Sequence, residues 1–322
     1  LIQSGVTCFS DMYFYMDEVA KVVKESGIRA CLSGVLLEVG DLGPTFMKAA
    51  VDFHDSWDGK AEGRIKAFFG PHSMYLCGPE YLRETTEEAL KRKTAIHIHL
   101  AESRQEVADC LEKYGKSPVQ HLADLGMFAC RTVAAHCVHV SADDIDLLAK
   151  HKVSVVNNPT SNMKLANGFA PIDAILKKGI NVALGTDGSA SNNNVNLFEE
   201  MHLAALVNKA VTEDAESVPA TEVLRMATIN GAKALGLENE IGSLEVGKRA
   251  DLILLDTNKP HYFPRHNPVS SIAYSAQAAD VKTVMVNGQV LLENYQLKTI
   301  DVEETMREAE RMAFDLVRRA TQ

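Results

Sequence analysis

The 322 residues carry 33 Lys and Arg against 43 Asp and Glu, a formal net charge of -10, with 46% hydrophobic and 24% charged residues. This is the composition of an ordinary globular chain long enough to bury a large core, and its acidity argues against nucleic acid or an anionic membrane as partner. No apolar run approaches the ~20 residues that span a bilayer, and the first residues do not read as a signal peptide. The six cysteines (Cys8, Cys31, Cys77, Cys110, Cys130, Cys137) lack CxxC spacing, which fits reduced cytoplasmic thiols better than a disulfide framework or structural zinc.

The chain starts without Met at Leu1-Ile2-Gln3-Ser4-Gly5, in what reads as a helix end, and is expected to lack its natural N-terminus. Residues 5–11 read as a strand. Over 16–26, Val19, Val22 and Val23 fall on one helical stripe, with Gly27 as C-cap. A strand over 28–37, a helix over 45–56 and a strand over 64–70 follow. Pro79 suits the first turn of a helix over 79–91. A strand over 94–100 leads to helices over 103–114 and 117–125. Then come a strand over 131–137 and a helix over 141–150 with Ser141 as N-cap. The alternation continues with a strand over 152–157, a helix over 171–178, a strand over 181–187 and a helix over 196–211.

Strands alternating with helices imply a parallel sheet. The seven strands are one short of a closed (β/α)8 barrel, and the eighth is expected before Leu1. After the barrel, 220–235 reads as one helix. The run 241–256 gives turns and an apolar strand, and 281–292 is a hairpin turning at Asn287-Gly288. A charged amphipathic helix over 301–319 closes the chain. The expected domains are therefore a barrel over 1–236, part of a composite β-sandwich over 237–300, and a C-terminal helix over 301–322.

The stretch Thr94-Ala-Ile-His-Ile-His-Leu-Ala-Glu-Ser103 holds the densest chemistry. Alternating strand side chains put His97 and His99 on one face, with Glu102 just past the end. Two imidazoles and a carboxylate so spaced could serve a metal, or be buried and hydrogen-bonded without one. Reacting groups in such barrels sit at the C-terminal ends of strands. Here those ends carry His72, His99 with Glu102, His136, Asn157-Asn158 and Asp187. Singly, His72 could be a loop histidine, His136 and His139 solvated turn residues, and Asp187 an Asx turn. Together they favour a metal-assisted hydrolase.

The runs HIHLAES (97–103), AAHCVH (134–139), NNPTSNMKLANGFAPI (157–172), LGTDGSASNNNVNLFEEM (184–201) and ATINGAKALGLENEIGSLEVGKRADLILLD (227–256) resemble the amidohydrolase superfamily. Within it they most resemble the branch of methylthioadenosine/S-adenosylhomocysteine deaminases and triazine chlorohydrolases. The resemblance implies one divalent metal, usually zinc and sometimes iron, in a barrel enzyme that hydrolyses C–N bonds of cyclic amidines. It implies His99 and Asp187 as metal ligands and Glu102 as the carboxylate that moves protons between water and leaving nitrogen. It further implies His136 beside the attacking water, and His72 and Ser191 as contacts to the substrate base. His97 matches no ligand position and lies two residues deeper. A homo-oligomer with a small-molecule substrate is also implied.

No lysine ends the strand at Phe68-Phe69-Gly70, so a carboxylated-lysine bridge between two metals is not expected. The family's strand-one His-x-His pair is absent, and the 322-residue chain is expected to bind metal poorly and turn over slowly. The loop Ser33-Gly-Val-Leu-Leu-Glu-Val-Gly-Asp-Leu-Gly43 has no arginine and two acids, Glu38 and Asp41. The expected reaction is release of ammonia from an amino-substituted purine nucleoside such as methylthioadenosine, adenosine or S-adenosylhomocysteine. The loop weakens S-adenosylhomocysteine, with its amino-acid carboxylate, and favours a neutral substrate such as methylthioadenosine or adenosine, or another aminated heterocycle. The alternatives are a guanine-type or triazine amino- or chlorohydrolase and, in another class, a non-catalytic barrel serving as a binding or structural subunit.

Overall fold

The computed structural model describes residues 1–321; Gln322, the last residue of the expected C-terminal segment, lies outside them. Seven strands form one sheet: β1 (Cys8–Tyr13), β2 (Arg29–Leu36), β3 (Ile65–Pro71), β4 (Ile96–Leu100), β5 (Thr132–His136), β6 (Ser154–Asn157) and β7 (Val182–Leu184). They pair in chain order and all in parallel. All seven stand where the sequence pattern puts them.

The connecting helices are α1 (Met16–Ser26), α2 (Gly43–Trp57), α3 (Pro79–Arg92), α4 (Arg104–Tyr114), α5 (Pro118–Asp124), α6 (Ala142–Lys150), α7 (Pro159–Lys164), α8 (Ile172–Lys177) and α9 (Leu197–Thr212). Parallel strands packed on both faces read as near-continuous apolar runs, and β3, with six of its seven residues buried, is one. Local signals start and stop the helices. The Ser141 hydroxyl and Asp144 carboxylate make a reciprocal capping box on α6. Gly27 ends α1 at φ 84°, and a Cβ there would lie 2.6 Å from Leu291 Cδ2, so only glycine fits both the turn and the close approach.

The sheet curls strongly. Ser10 Oγ of β1 lies 3.5 Å from His97 Nδ1 of β4, three strands away in the ladder. A flat sheet would separate those strands by about 14 Å. Among the described residues no ladder joins β1 to β7, so the sheet is a curled barrel wall of seven strands.

The segment expected as one helix over 220–235 is two, α10 (Ala220–Met226) and α11 (Ile229–Leu235). The hydroxyl of Thr228 donates to Leu224 O at 2.6 Å, and Thr228 itself takes φ -129°, ψ -99°. A side chain that bonds the preceding turn competes with the helix ladder, and the ladder breaks here.

Beyond lie β8 (Leu252–Leu255), α12 (Pro268–Tyr274), β9 (Val281–Val286), β10 (Gln289–Glu293) and β11 (Gln296–Leu297), then α13 (Val302–Ala320). The four strands form one antiparallel sheet in the order β11-β10-β9-β8, with Asn287 and Gly288 both at positive φ in the expected two-residue turn. A fork of Arg29 on Asp251 (2.8 and 3.0 Å), each side chain 2% exposed, ties this appendage to β2. Among the described residues no helix is long and apolar enough to cross a membrane.

Candidate active site

The C-terminal ends of β4, β5 and β7 bring the sequence-predicted residues into one cluster. Ligand-capable atoms of His99, His136 and Asp187 all lie within 4.8 Å of one another. The His72 ring stacks on His99 at 4.5 Å between centroids, and His99 on His136 at 5.6 Å. Glu102 Oε2 is 3.7 Å from His136 Nε2, and Ser191 Oγ donates to Asp187 Oδ2 at 2.6 Å. The Ser191 hydroxyl is thus engaged by the carboxylate beside it. His97 stands 6.1 Å from His99 by ring centroids, one layer deeper.

The backbone is bent sharply where these groups leave the sheet. Ala101, His136, Cys137 and Asp187 have φ of 49°, 72°, 49° and 61°. Non-glycine residues rarely adopt this left-handed region, and such strain gathers at functional sites when the surroundings enforce it. The enforcement is visible at Glu102. The buried Glu106 carboxylate accepts the amides of Ala101 (3.0 Å) and Glu102 (2.8 Å), while the Ser103 hydroxyl caps the helix that carries it. The Ser103-x-x-Glu106 spacing is a capping signal in the sequence.

The donor chemistry suits a divalent cation. His99 Nδ1 donates to the His72 carbonyl at 2.8 Å and His136 Nδ1 donates to Asn162 Oδ1 at 2.9 Å, which leaves each Nε2 with its lone pair. Burial, then the neighbouring His136, lowers the pKa of His99, so its imidazole is neutral. Burial likewise pushes His97 down to about 3 and His72 to about 4, both helped by His99. Burial opposes ionisation of Asp187, but the Ser161 and Ser191 hydroxyls and the Gly188 amide outweigh it and hold the carboxyl below its usual range. Imidazole nitrogens and a carboxylate are the donor types that zinc and similar ions accept.

The groups that support the cluster carry little signal in the local sequence pattern. Between the strand expected over 152–157 and the helix expected over 171–178 the pattern marks no element, yet the stretch contains α7 and a turn that together touch three of the clustered groups. Ser161 donates to Asp187 Oδ2 at 2.6 Å, Asn162 accepts from His136, and Asn167 Nδ2 donates to Glu102 Oε1 at 2.9 Å. His139 is no solvated turn residue: its Nε2 donates to the Asn167 carbonyl at 2.8 Å. Glu200, fully buried on α9, accepts the Thr160 amide (3.1 Å) and Asn192 Nδ2 (2.7 Å), pinning α7 to the loop of Asp187 and Ser191. The only local clue was Pro159, a good first-turn residue.

Curated relatives match nearly the whole chain. The chain is 55% identical over 320 residues to the 5-methylthioadenosine/S-adenosylhomocysteine deaminase of Caldanaerobacter subterraneus subsp. tengcongensis, covering 99% of this chain and 74% of that one. It is 48% identical over 322 residues to the 5'-deoxyadenosine deaminase of Methanosarcina acetivorans, again 99% and 74%. Among solved structures, an adenosine deaminase from Xanthomonas campestris with bound zinc superposes with a TM-score of 0.94 at 35% identity, covering 98% of this chain and 72% of that one. The atrazine chlorohydrolase of Arthrobacter aurescens, complexed with zinc, superposes at 0.90 with 25% identity, over 96% and 73%. The amidohydrolase family model matches residues 1–291, and with relatives this similar the chain belongs to the amidohydrolase family.

Proposed function

We propose that this protein is a metal-dependent aminohydrolase that releases ammonia from a neutral aminopurine nucleoside such as methylthioadenosine or adenosine. The observation that carries the reading is the Glu102 carboxylate on the rim of the His99–His136–Asp187 cluster, 3.7 Å from His136 Nε2. The names of the curated relatives and of the zinc-bound structural neighbour support it.

In this reading His99 and Asp187 hold one divalent metal, zinc by analogy with the neighbours. When bound, it supplies the Lewis acidity that makes an attacking water acidic near neutral pH. His136, with Nδ1 committed to Asn162, offers Nε2 to accept a hydrogen bond from that water and aim it. Glu102 takes one proton from the water as its oxygen bonds the amidine carbon, and gives that proton to the exocyclic nitrogen. The nitrogen leaves as ammonia with the C–N electron pair, and the second water proton stays on the product. His72, stacked on His99, and Ser191, bonded to Asp187, are assigned to the substrate base. The 33–43 loop supplies no arginine for a substrate carboxylate, and its Glu38 is occupied by the Gly78 amide at 2.7 Å. Six free cysteines support a reducing, cytoplasmic setting.

The test is ammonia release by the zinc-loaded full-length protein offered methylthioadenosine, adenosine, S-adenosylhomocysteine, guanine and an aminotriazine. Turnover of the neutral nucleosides is expected to exceed all others. Release only from guanine or the triazine would move the protein to another branch. Zinc uptake without any ammonia release would sink the enzyme reading.

A further inference from the structure

The proton shuttle assigned above has a fixed backbone and a loose side chain. Glu106 clamps the amides of Ala101 and Glu102, yet the Glu102 side chain is 21% exposed and stands too far from His136 Nε2, at 3.7 Å, for a hydrogen bond. Among the described residues the carboxylate accepts one hydrogen bond, from Asn167 Nδ2 to Oε1 at 2.9 Å. We propose that Asn167 is a positioning residue that locks the Glu102 carboxylate for proton transfer, an inference that rests on the deaminase reading.

Asn167 is itself held at both backbone ends. Its amide donates to Asn162 O at 2.9 Å and its carbonyl accepts His139 Nε2 at 2.8 Å. Gly168 follows at φ 114°, a conformation that side chains rarely adopt. The turn therefore presents the carboxamide at a set point, 65 residues along the chain from the group it serves. An amide N–H can donate but cannot exchange roles with a carboxylate. With Oε1 occupied by that donor, Oε2 is the oxygen left facing His136, and the travelling proton is carried there. Each proton transfer needs the carboxylate oriented to within a few tenths of an ångström, and a freely rotating carboxylate loses that preorganisation.

The asymmetry between leaving groups separates positioning from mere support of the turn. Deamination uses Glu102 twice, to accept a proton from water and to deliver it to nitrogen. The 6-chloro analogue of the same nucleoside loses chloride, which needs no proton, and uses Glu102 once. Asn167→Ala and the isosteric Asn167→Asp are compared with wild type on both substrates, alongside zinc content and melting temperature. The expected result is a kcat loss of about tenfold or more on the amino substrate, KM within about twofold, and a clearly smaller loss on the chloro substrate. Asn167→Asp, which keeps the shape but sets two carboxylates together, is expected to lose more than Asn167→Ala. Unchanged kcat in both variants, or equal losses on both substrates with a matching rise in KM, would overturn the positioning role. Should Asn167→Ala fold poorly, Asn167→Asp alone decides, because the backbone bonds of the turn do not involve its side chain. Full-length wild-type protein, loaded with zinc, that releases neither ammonia nor chloride would overturn the deaminase reading, and this inference with it.

Discussion

The side chain of Asn162 accepts a hydrogen bond from Nδ1 of His136 at 2.9 Å, with both groups buried. The contact engages Nδ1 as the donor and turns Nε2 toward Glu102. Replacing Asn162 with alanine frees the ring to rotate and to take the other tautomer. Turnover is expected to fall about 10- to 100-fold, the usual cost of losing such an outer partner. The 15N shifts of His136 should move from the Nδ1–H pattern to a mixed one; an unchanged pattern would refute the tautomer argument.

Glu102 and Asp187 should fail in different ways. Glu102→Gln keeps size and hydrogen-bonding capacity but cannot shuttle a proton, so kcat is expected to fall about 10²- to 10⁴-fold with zinc content unchanged. Asp187→Asn weakens the proposed ligand set and should give substoichiometric zinc by metal analysis. Loss of zinc in Glu102→Gln would mean that Glu102 is itself a ligand.

Asp280 anchors the appendage and sets a pH limit on it. Although burial alone would raise its pKa, hydrogen bonds from Lys259, His261, the Gln277 amide and Tyr262 bring it down to about 2. A carboxyl depressed on folding binds fewer protons in the native state than in the unfolded one. Its contribution, roughly 2 kcal/mol, is thus present above about pH 4 and is lost as pH falls toward 2. Chemical denaturation across pH 2 to 6 should show this slope, and Asp280→Asn should flatten it.

Arg29 and Asp251 form a buried ion pair between β2 and the appendage. Arg29→Met leaves the Asp251 carboxylate buried with, among the described residues, only the Asn287 amide, at 2.7 Å, as partner. Stripping one member of such a pair costs about 3–5 kcal/mol, measurable in urea titration. A loss below about 1 kcal/mol would mean that water reaches the site.

Much of the layout is written in local patterns. The apolar runs and helical stripes mark every strand of the sheet, because burial imposes its period on the residues that must be buried. The period-2 alternation of 96–100 puts His97 and His99 on one face, and Ser141, Gly27 and Asn287-Gly288 announce a cap, a stop and a turn before any coordinate is known. The break at Thr228 was not legible, since a mid-helix threonine is compatible with an unbroken helix until its hydroxyl turns back to Leu224. Nor was α7, six residues long and too short to show a period.

The amino-acid sequence by itself determines that this is an acidic parallel α/β barrel chain, and that its strand ends carry His72, His99, Glu102, His136 and Asp187. Only the tertiary structure decides which of these meet and what holds them. His99, His136 and Asp187 converge because three separate strands end on one rim. Their supports, Ser161, Asn162 and Asn167, reach across 26 to 65 residues of chain. Periodicity reports what a residue's own element buries, whereas contacts between strand ends depend on how the whole sheet curls.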